Sequence, residues 1–395
     1  MPSPNLCGAL LLENWQIGGF GLYVHWPFCQ AKCPYCDFNS HVVSSIDHDA
    51  WLDAYVSEID RYAAETPDRI LSSIYFGGGT PSLMAPETVG AIIERAAHHW
   101  TFANNIEITL EANPTSIEAK NFAGYKAAGV NRISIGIQAL NDGDLKRLGR
   151  LHTAAEAKHA LTLAKSLFDR VSFDLIYARQ DQSFDEWKTE LQAALDYGPD
   201  HLSLYQLTIE PGTAFGARLD AGKLHGLPDE DLATDMYFLT QSICDAAGLP
   251  AYEVSNHAKP GQESQHNRIY WRSGDWVGIG PGAHGRLTLG AARFSTETAL
   301  APNNWLSAAA SGNGESARAR IPRDEQVTEF LLMGLRTVEG VDLKRLEKQL
   351  CTDVNILKIN DLQSLGLIEV KDHMLVATDK GRPVLNGILR ELIPG

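Results

Sequence analysis

Three cysteines with metal-binding spacing lie close together near the start of the chain, at Cys29, Cys33 and Cys36. Thiolates this close either share a metal centre or oxidise together. Pro27 and Pro34 disfavour a continuous helix through the segment, so we expect a loop. The C-x3-C-x2-C pattern therefore predicts a loop wrapped around a metal centre.

Three cysteines are one fewer than either common sulfur-ligated centre normally takes. A structural zinc site would need a fourth ligand, for which His25 or His41 is near enough in the sequence. A 4Fe–4S cluster held by three cysteines would leave one iron open to a small molecule. The spacing resembles the signature of the radical SAM superfamily, in which S-adenosylmethionine occupies that open iron. We favour the cluster, with zinc and incidental thiols as the alternatives.

The cysteine loop follows the first of six apolar segments that alternate with amphipathic helices. These segments, interpreted as strands, are 21–26, 70–76, 106–110, 131–137, 171–176 and 201–206. Six βα units argue for parallel strands joined by right-handed crossovers. Alternation alone does not separate an open sheet from a closed barrel, but the radical SAM resemblance implies an open, partial (β/α)6 barrel. The predicted fold class is therefore α/β.

Several residues that could bind a ligand come at the ends of these strands. Function in such folds collects at the carboxyl ends, so one mouth should hold the cysteine loop, glycines 77–79, Glu111, Gln138 and Asp174. Glycines expose backbone groups, Glu111 can accept hydrogen bonds from an ammonium or from ribose, and a carboxylate within an apolar strand is costly unless paired. Arg150 could pair with a carboxylate. Three of these candidates also have a simpler interpretation. The glycines could form only a tight turn, Glu111 could be a solvated strand end, and Arg150 could be a surface arginine.

A second group of candidate residues is the run His-Asn-Arg-Ile-Tyr at 266–270, which is followed by a glycine-rich run at 278–285. Histidine is an ordinary haem ligand, and a nearby arginine can pair with propionates. On chemistry alone, a lone histidine is more often structural. His25, His257 and His284 are the other candidates for an axial ligand.

Composition limits the classes of function open to the chain. It has 395 residues, of which 44% are hydrophobic and 21% charged, as in ordinary globular proteins. A net charge of −15 argues against nucleic-acid binding, which depends on neutralising phosphates. No apolar run reaches the roughly 18 residues needed to span a bilayer, and six cysteines are too few for a disulfide-stapled secreted fold. We therefore expect a cytoplasmic protein without a transmembrane segment.

Nine short segments together resemble those of one family, the radical SAM haem chaperones. This family is a close relative of oxygen-independent coproporphyrinogen III dehydrogenase. The resemblance runs from about residue 19 to the C-terminus. The matching segments are YVH (23–25), the C-x3-C-x2-C-D-F run (29–38), GGGTPS (77–82), EANP (111–114), SIGIQ (134–138), DLIYA (174–178), IEPGT (209–213), HNRIYW (266–271) and GIGPGAH (278–284).

The resemblance implies ligands for three cofactors. Cys29, Cys33 and Cys36 would hold the 4Fe–4S cluster. S-adenosylmethionine would contact Tyr23, Tyr35, Gly78, Gly79, Thr80, Glu111, Gln138, Arg150 and Asp174. The haem-binding motif would comprise His266, Asn267, Arg268 and Tyr270. The implied partners are haem and haem-acceptor proteins such as respiratory enzymes, and a homodimer is left open.

Two departures from the dehydrogenase pattern favour the chaperone branch. Phe38 stands where the dehydrogenase has a fourth cysteine, and only about twenty residues precede the first strand, where the dehydrogenase has a long arm. Oxidative decarboxylation of coproporphyrinogen III is therefore the rival hypothesis. A third hypothesis is an interaction protein in which the cluster only staples the fold.

The sequence divides into four predicted parts. These are an N-terminal segment (1–20), the partial barrel (21–250), the haem-motif region with a linker (251–317) and a C-terminal HemN-like domain (318–395). The tail reads as helices followed by a hairpin, which is typical of a small winged-helix-like α+β domain. Alanine and glycine at 308–317 predict the linker.

Overall fold

The computed structural model describes residues 13–350 and 356–393, and its centre is a run of six parallel strands. Each strand pairs with the next one in chain order. They are β1 (Phe20–Trp26), β2 (Ile70–Gly78), β3 (Thr101–Ala112), β4 (Arg132–Gln138), β5 (Arg170–Tyr177) and β6 (His201–Gln206). All six predicted strands are present, although β3 begins five residues earlier than expected. The α/β class with a parallel sheet is confirmed.

Helices cover the outer face of this sheet because each buries one apolar stripe. In the second helix the stripe includes Trp51, Tyr55 and Tyr62, and the Asp47 carboxylate accepts a hydrogen bond from the Ala50 N–H at the helix start. The helices before the C-terminal unit are α1 (Asn14–Gly18), α2 (His48–Glu65), α3 (Pro86–His99), α4 (Ser116–Ala119), α5 (Phe122–Ala127), α6 (Asp142–Arg147), α7 (Ala154–Leu167), α8 (Phe184–Asp196), α9 (Ala214–Asp220), α10 (Glu230–Ala246), α11 (Gln265–Trp271) and α12 (Pro302–Ala310).

The inner face of the six strands is polar. Side chains alternate along a strand, so β1 and β2 send Leu22 and Phe76 to the helices while other positions face inward. The inward hydroxyls and carboxylates contact one another, as where Ser172 Oγ donates to Ser134 Oγ at 3.0 Å. The interior of the partial barrel is therefore a hydrogen-bonded environment in which charged groups can be held.

The sheet continues beyond the six strands on both sides. In the part of the chain that the structure describes, it has eleven strands, in the order β11-β10-β9-β8-β1-β2-β3-β4-β5-β6-β7. Strand β8 lies parallel to β1, whereas β7 is antiparallel to β6 and β9 to β11 form an antiparallel extension. The added strands are β7 (Asn256–Ala258), β8 (Asp275–Ile279), β9 (His284–Leu289), β10 (Ala292–Thr298) and β11 (Glu315–Arg320).

The predicted linker at 308–317 is wrong. Its first residues end α12, and its last residues begin the edge strand β11, which pairs with β10. This strand is almost wholly exposed, and backbone pairing and ion pairs such as Arg61 Nη1 to Glu315 Oε1 at 2.9 Å hold it in place. Without a buried face it carries no alternating apolar pattern.

The C-terminal unit has its own hydrophobic core and a three-stranded sheet, as expected for a small α+β domain. Its elements are α13 (Arg323–Gly334), β12 (Val341–Asp342), α14 (Leu343–Leu350), α15 (Ile356–Ser364), β13 (Ile368–Lys371), β14 (Met374–Ala377) and α16 (Leu385–Leu392). The four-part division of the chain stays a prediction, and its first segment lies partly outside the described residues. None of the helices described is both long and apolar enough to cross a membrane.

Candidate functional site

The three spaced cysteines lie in a loop directly after β1 and face one cavity of about 440 Å³. The ends of the loop are tied together because the Cys29 N–H donates to the His41 carbonyl at 3.0 Å. Cys29, Cys33 and Cys36 are free thiols. Side-chain donors reach them: Thr80 Oγ1 lies 3.3 Å from the Cys29 sulfur and Arg150 Nη1 lies 3.5 Å from the Cys33 sulfur.

The glycine run at the end of β2 is bonded to this cysteine loop. The Gly79 N–H donates to the Trp26 carbonyl at 2.7 Å, and the Thr80 N–H to the Phe28 carbonyl at 2.8 Å. Gly78 has a φ of +106°, and a Cβ there would lie 2.5 Å from the His25 ring. A side chain is therefore excluded at Gly78 by both conformation and space. The run presents bare backbone along one side of the cavity.

Two carboxylates, Glu111 and Asp174, face the cavity from β3 and β5. Burial raises the pKa of Glu111 to about 7, and the nearby Asp174 adds to this, while a hydrogen bond from Tyr75 opposes it. Burial likewise raises the pKa of Asp174 to about 6. Both groups therefore change charge close to neutral pH, as is common where a site binds cations or moves protons.

Arg150 joins the cysteine loop to the neighbouring strands. Besides the Cys33 sulfur, its guanidinium donates to the Gly136 carbonyl at 2.8 Å and to the side-chain oxygen of Asn113. Asn113 in turn donates to Thr80 Oγ1 at 3.1 Å. Within the protein, the partners of the Arg150 guanidinium are therefore a carbonyl, an amide and a sulfur. Asn113 was missed as a site residue, although the EANP segment contains it.

Gln138 and Tyr35 complete the predicted set that lines the cavity. Gln138 ends β4 with a φ of +73°, a backbone conformation that is rare for residues other than glycine. Such conformations are typically retained at functional sites. All the predicted S-adenosylmethionine contacts except Tyr23 thus share one mouth, together with Cys29, Cys33 and Cys36.

Tyr23 does not line this cavity. Its hydroxyl pairs with Nδ1 of His25 at 3.0 Å, and Nε2 of the same ring pairs with the Asn39 carbonyl at 2.9 Å. His41 Nε2 is bonded to the Asn39 side chain. His25 is therefore engaged at both nitrogens, which disfavours it as a fourth zinc ligand. Within the described residues, no three His, Cys, Asp or Glu side chains are arranged to hold a single metal ion.

The predicted haem motif lies on α11, beneath the mouth and inside the barrel. His266 is only 1% exposed, and its Nδ1 and Nε2 lie 2.8 Å from Ser73 Oγ and from the Tyr270 hydroxyl. Arg268 pairs with Glu339 at 2.6 Å. Neither nitrogen of His266 is free for an iron in this arrangement, and the motif does not border the cysteine cavity.

The remaining motif residue and the other candidate haem ligands have different environments. The Asn267 side chain is half-buried, and its backbone N–H is capped by Ser264. His257 is fully buried in β7, whereas His284 is exposed at the start of β9. Exposure makes His284 the more accessible of these two to a large ligand.

Comparison with known proteins identifies two families along the chain. The model of the radical SAM superfamily matches residues 23–194, and that of the HemN C-terminal domain matches residues 321–384. Among solved structures, coproporphyrinogen III oxidase (HemN) from Escherichia coli has a TM-score of 0.79 at 22% identity. That similarity covers 95% of this chain and 90% of HemN and establishes the shared fold.

Two curated relatives match along nearly their whole length. The mouse protein "Radical S-adenosyl methionine domain-containing protein 1, mitochondrial" is 40% identical over 385 residues, covering 94% of this chain and 87% of the relative. "Heme chaperone HemW" of Escherichia coli is 38% identical over 376 residues, covering 93% and 96%. With this identity and coverage, the chain belongs to the HemW family of radical SAM proteins.

Proposed function

We propose that this protein is a haem chaperone that holds a 4Fe–4S cluster through Cys29, Cys33 and Cys36 and passes haem to acceptor proteins. The observation that carries the proposal is three free cysteines facing one cavity, in a chain whose bacterial relatives are named haem chaperones. Three cysteine thiols that face one cavity fit a cluster that keeps one iron for S-adenosylmethionine. The S-adenosylmethionine contacts inferred from the sequence belong to the same proposal.

The cavity residues have distinct tasks in this proposal. Bare backbone at Gly78 and Gly79 allows close approach of the nucleotide, and Thr80 and Arg150 donate to the sulfurs. Glu111 and Asp174, when ionised, accept hydrogen bonds from an ammonium or from ribose hydroxyls. A cluster held by Cys29, Cys33 and Cys36 would supply one-electron reduction chemistry to the bound nucleotide.

We place the proposed haem site at the motif on α11. The rim of the cysteine cavity is the alternative location. Ligation by His266 requires the iron to replace Ser73 or Tyr270 as the partner of a ring nitrogen. At the rim, the exposed His284 accompanies exposed apolar side chains near the cysteine loop, which a porphyrin face could cover. These apolar side chains are Phe38, Val42, Val43 and Leu300.

Haem titration of the anaerobically reconstituted protein tests the proposal. We expect a saturable Soret band that is shifted or lost in His266→Ala and unchanged in His159→Ala, an exposed histidine on α7. An unchanged band in His266→Ala together with a lost band in His284→Ala would move the site to the rim. Absence of any band, or failure to transfer haem to a haem-free acceptor protein, would defeat the chaperone function.

Oxidative decarboxylation of coproporphyrinogen III is the second candidate because the fold is that of HemN. A strictly anaerobic assay for vinyl-group formation separates the two functions, and sustained product formation would favour the dehydrogenase. We also propose a reducing compartment, the cytoplasm in a bacterial cell, since a cluster with an open iron is sensitive to oxidation.

A further inference from the structure

Inside the barrel, below the cysteine cavity, the rings of Tyr75 and His266 stack on each other and the Tyr23 ring lies beside both. The Tyr75 and His266 rings lie 4.8 Å apart at 20°, and Tyr23 lies nearly parallel to both at about 6 Å. At the upper end, the Tyr75 hydroxyl donates to Glu111 Oε1 at 2.6 Å. We call His266, Tyr75 and Glu111 the column, because they connect α11 to the cavity.

The base of the column is fixed on every side. His266 is held by Ser73 and Tyr270, and burial lowers its pKa to about 3, so the ring is neutral. The N-terminus of α11 is fixed as well, since the Gln265 N–H donates to the buried Glu107 carboxylate at 2.9 Å. The imidazole therefore offers a rigid surface on which the Tyr75 ring rests.

Two glycines leave room for this stack. A Cβ at Gly21 would lie 2.9 Å from Ser73 Oγ and 3.3 Å from Nδ1 of His266. A Cβ at Gly77 would lie 2.9 Å from Tyr75 and 3.0 Å from Tyr23. A Cβ at Gly77 would push the tyrosine rings aside, and one at Gly21 would displace the Ser73 hydroxyl that holds His266. Both strands therefore leave space for the column.

We propose that His266 and Tyr75 are positioning residues for Glu111, so that binding of S-adenosylmethionine depends on a histidine that does not line its cavity. The inference rests on the proposed function, because it assumes that Glu111 contacts the nucleotide. The imidazole sets the tilt of Tyr75, and the Tyr75 hydroxyl sets the direction and charge of the carboxylate. This supporting role of His266 is distinct from haem ligation, and it requires only the contacts that His266 makes in the structure.

The charge on Glu111 gives this proposal a measurable signature. The carboxylate is faced by donors on β2, the Tyr75 hydroxyl and the Gly78 N–H, and by the Asp174 carboxylate on β5. Besides burial, the carboxylate raises the pKa values of three further phenols, those of Tyr23, Tyr205 and Tyr270. The Tyr75 bond favours the ionised form. Affinity for a ligand bound by this carboxylate should fall as the pH drops below about 7, and loss of the bond should move that fall to higher pH.

The test is equilibrium binding of S-adenosylmethionine to reconstituted protein between pH 6 and 8.5. Tyr75→Phe keeps the ring but removes the bond to a charged group, so we expect about tenfold weaker binding near pH 7 and a midpoint shifted upward. His266→Leu, which removes the supporting ring, should reproduce much of this effect, and His266→Phe, which keeps a ring, should largely restore affinity. Lys188→Gln, at an exposed position on α8, is the control.

The double variant Tyr75→Phe/His266→Leu tests whether His266 affects nucleotide binding only through Tyr75. We expect it to bind no more weakly than Tyr75→Phe alone. Additive losses, or unchanged affinity and pH midpoint in Tyr75→Phe, would overturn the column even if His266→Leu does not fold. Absence of nucleotide binding in the wild type would overturn the proposed function together with this inference, and is thus distinguishable from failure of the column alone.

Discussion

At the scale of single residues, the environments of the cysteines separate candidate ligands from a structural thiol. Cys33 lines the cavity beside Arg150, whereas Cys244 is wholly buried in α10. We expect Cys33→Ala to lose the visible absorption of the reconstituted cluster and nearly all bound iron, because a ligand is removed. Iron analysis and absorption spectroscopy measure this. Cys244→Ala should retain both, and equal iron loss in the two variants would contradict the assignment.

The sequence was sufficient to predict the site residues that lie at the ends of strands, because that position decides which way a side chain points. The cysteine loop, Gly78, Glu111 and Asp174 meet because parallel strands share one carboxyl edge. Tyr23 does not line the cavity because it lies three residues before the end of β1. Tyr75 was missed because an aromatic residue in a strand is usually read as core. The hydrogen bond from its hydroxyl to Glu111 depends on the pairing of β2 with β3, which the sequence alone does not give.

At the scale of elements, α11 is anchored to the sheet by one buried carboxylate. Glu107 is inaccessible to solvent and pairs with Arg170 at 2.8 Å and Arg132 at 3.2 Å. Glu107→Gln removes the carboxylate that pairs directly with two arginines, so we expect a loss of unfolding free energy on the order of 3–5 kcal/mol. Denaturant titration measures it.

A surface ion pair provides the control for that experiment. Asp169, which is 96% exposed, lies 3.7 Å from Lys126, so Asp169→Asn should leave the denaturation midpoint unchanged within error. Equal effects of the Glu107 and Asp169 variants would mean that the buried cluster does not stabilise the fold.

Elements with a buried face were predictable, and those without one were not. The six βα units alternate between apolar strands and striped helices, so their order follows from periodicity. The start of strand β11 was instead predicted as part of a linker at 308–317. The strand is held by backbone pairing with β10, and its mostly exposed side chains show no apolar alternation.

At the scale of the whole molecule, Glu339 ties the C-terminal unit to the barrel. Its carboxylate accepts from Arg268 at 2.6 Å and from Arg272 at 2.7 Å, both on or next to α11. Because these side chains are partly exposed, Glu339→Ala should change global stability little. We expect faster amide hydrogen exchange in α11, measured by mass spectrometry.

An ion pair within the C-terminal unit serves as the comparison. Glu369 pairs with Lys371 at 2.8 Å on the exposed hairpin, so Glu369→Ala should leave exchange in α11 unchanged. If Glu339→Ala also left it unchanged, the connection between the two units would not depend on this carboxylate.

Both ring nitrogens of His266 form hydrogen bonds within the protein, and an iron atom would have to replace one of these partners. Capture of the imidazole by a metal would thus disturb the surface that supports Tyr75. Thermodynamic reciprocity then acts in both directions: a nucleotide seated above would oppose metal capture below by the same factor by which the metal weakens the nucleotide. Each of the two ligands would therefore lower the affinity of the protein for the other through the interior of the barrel.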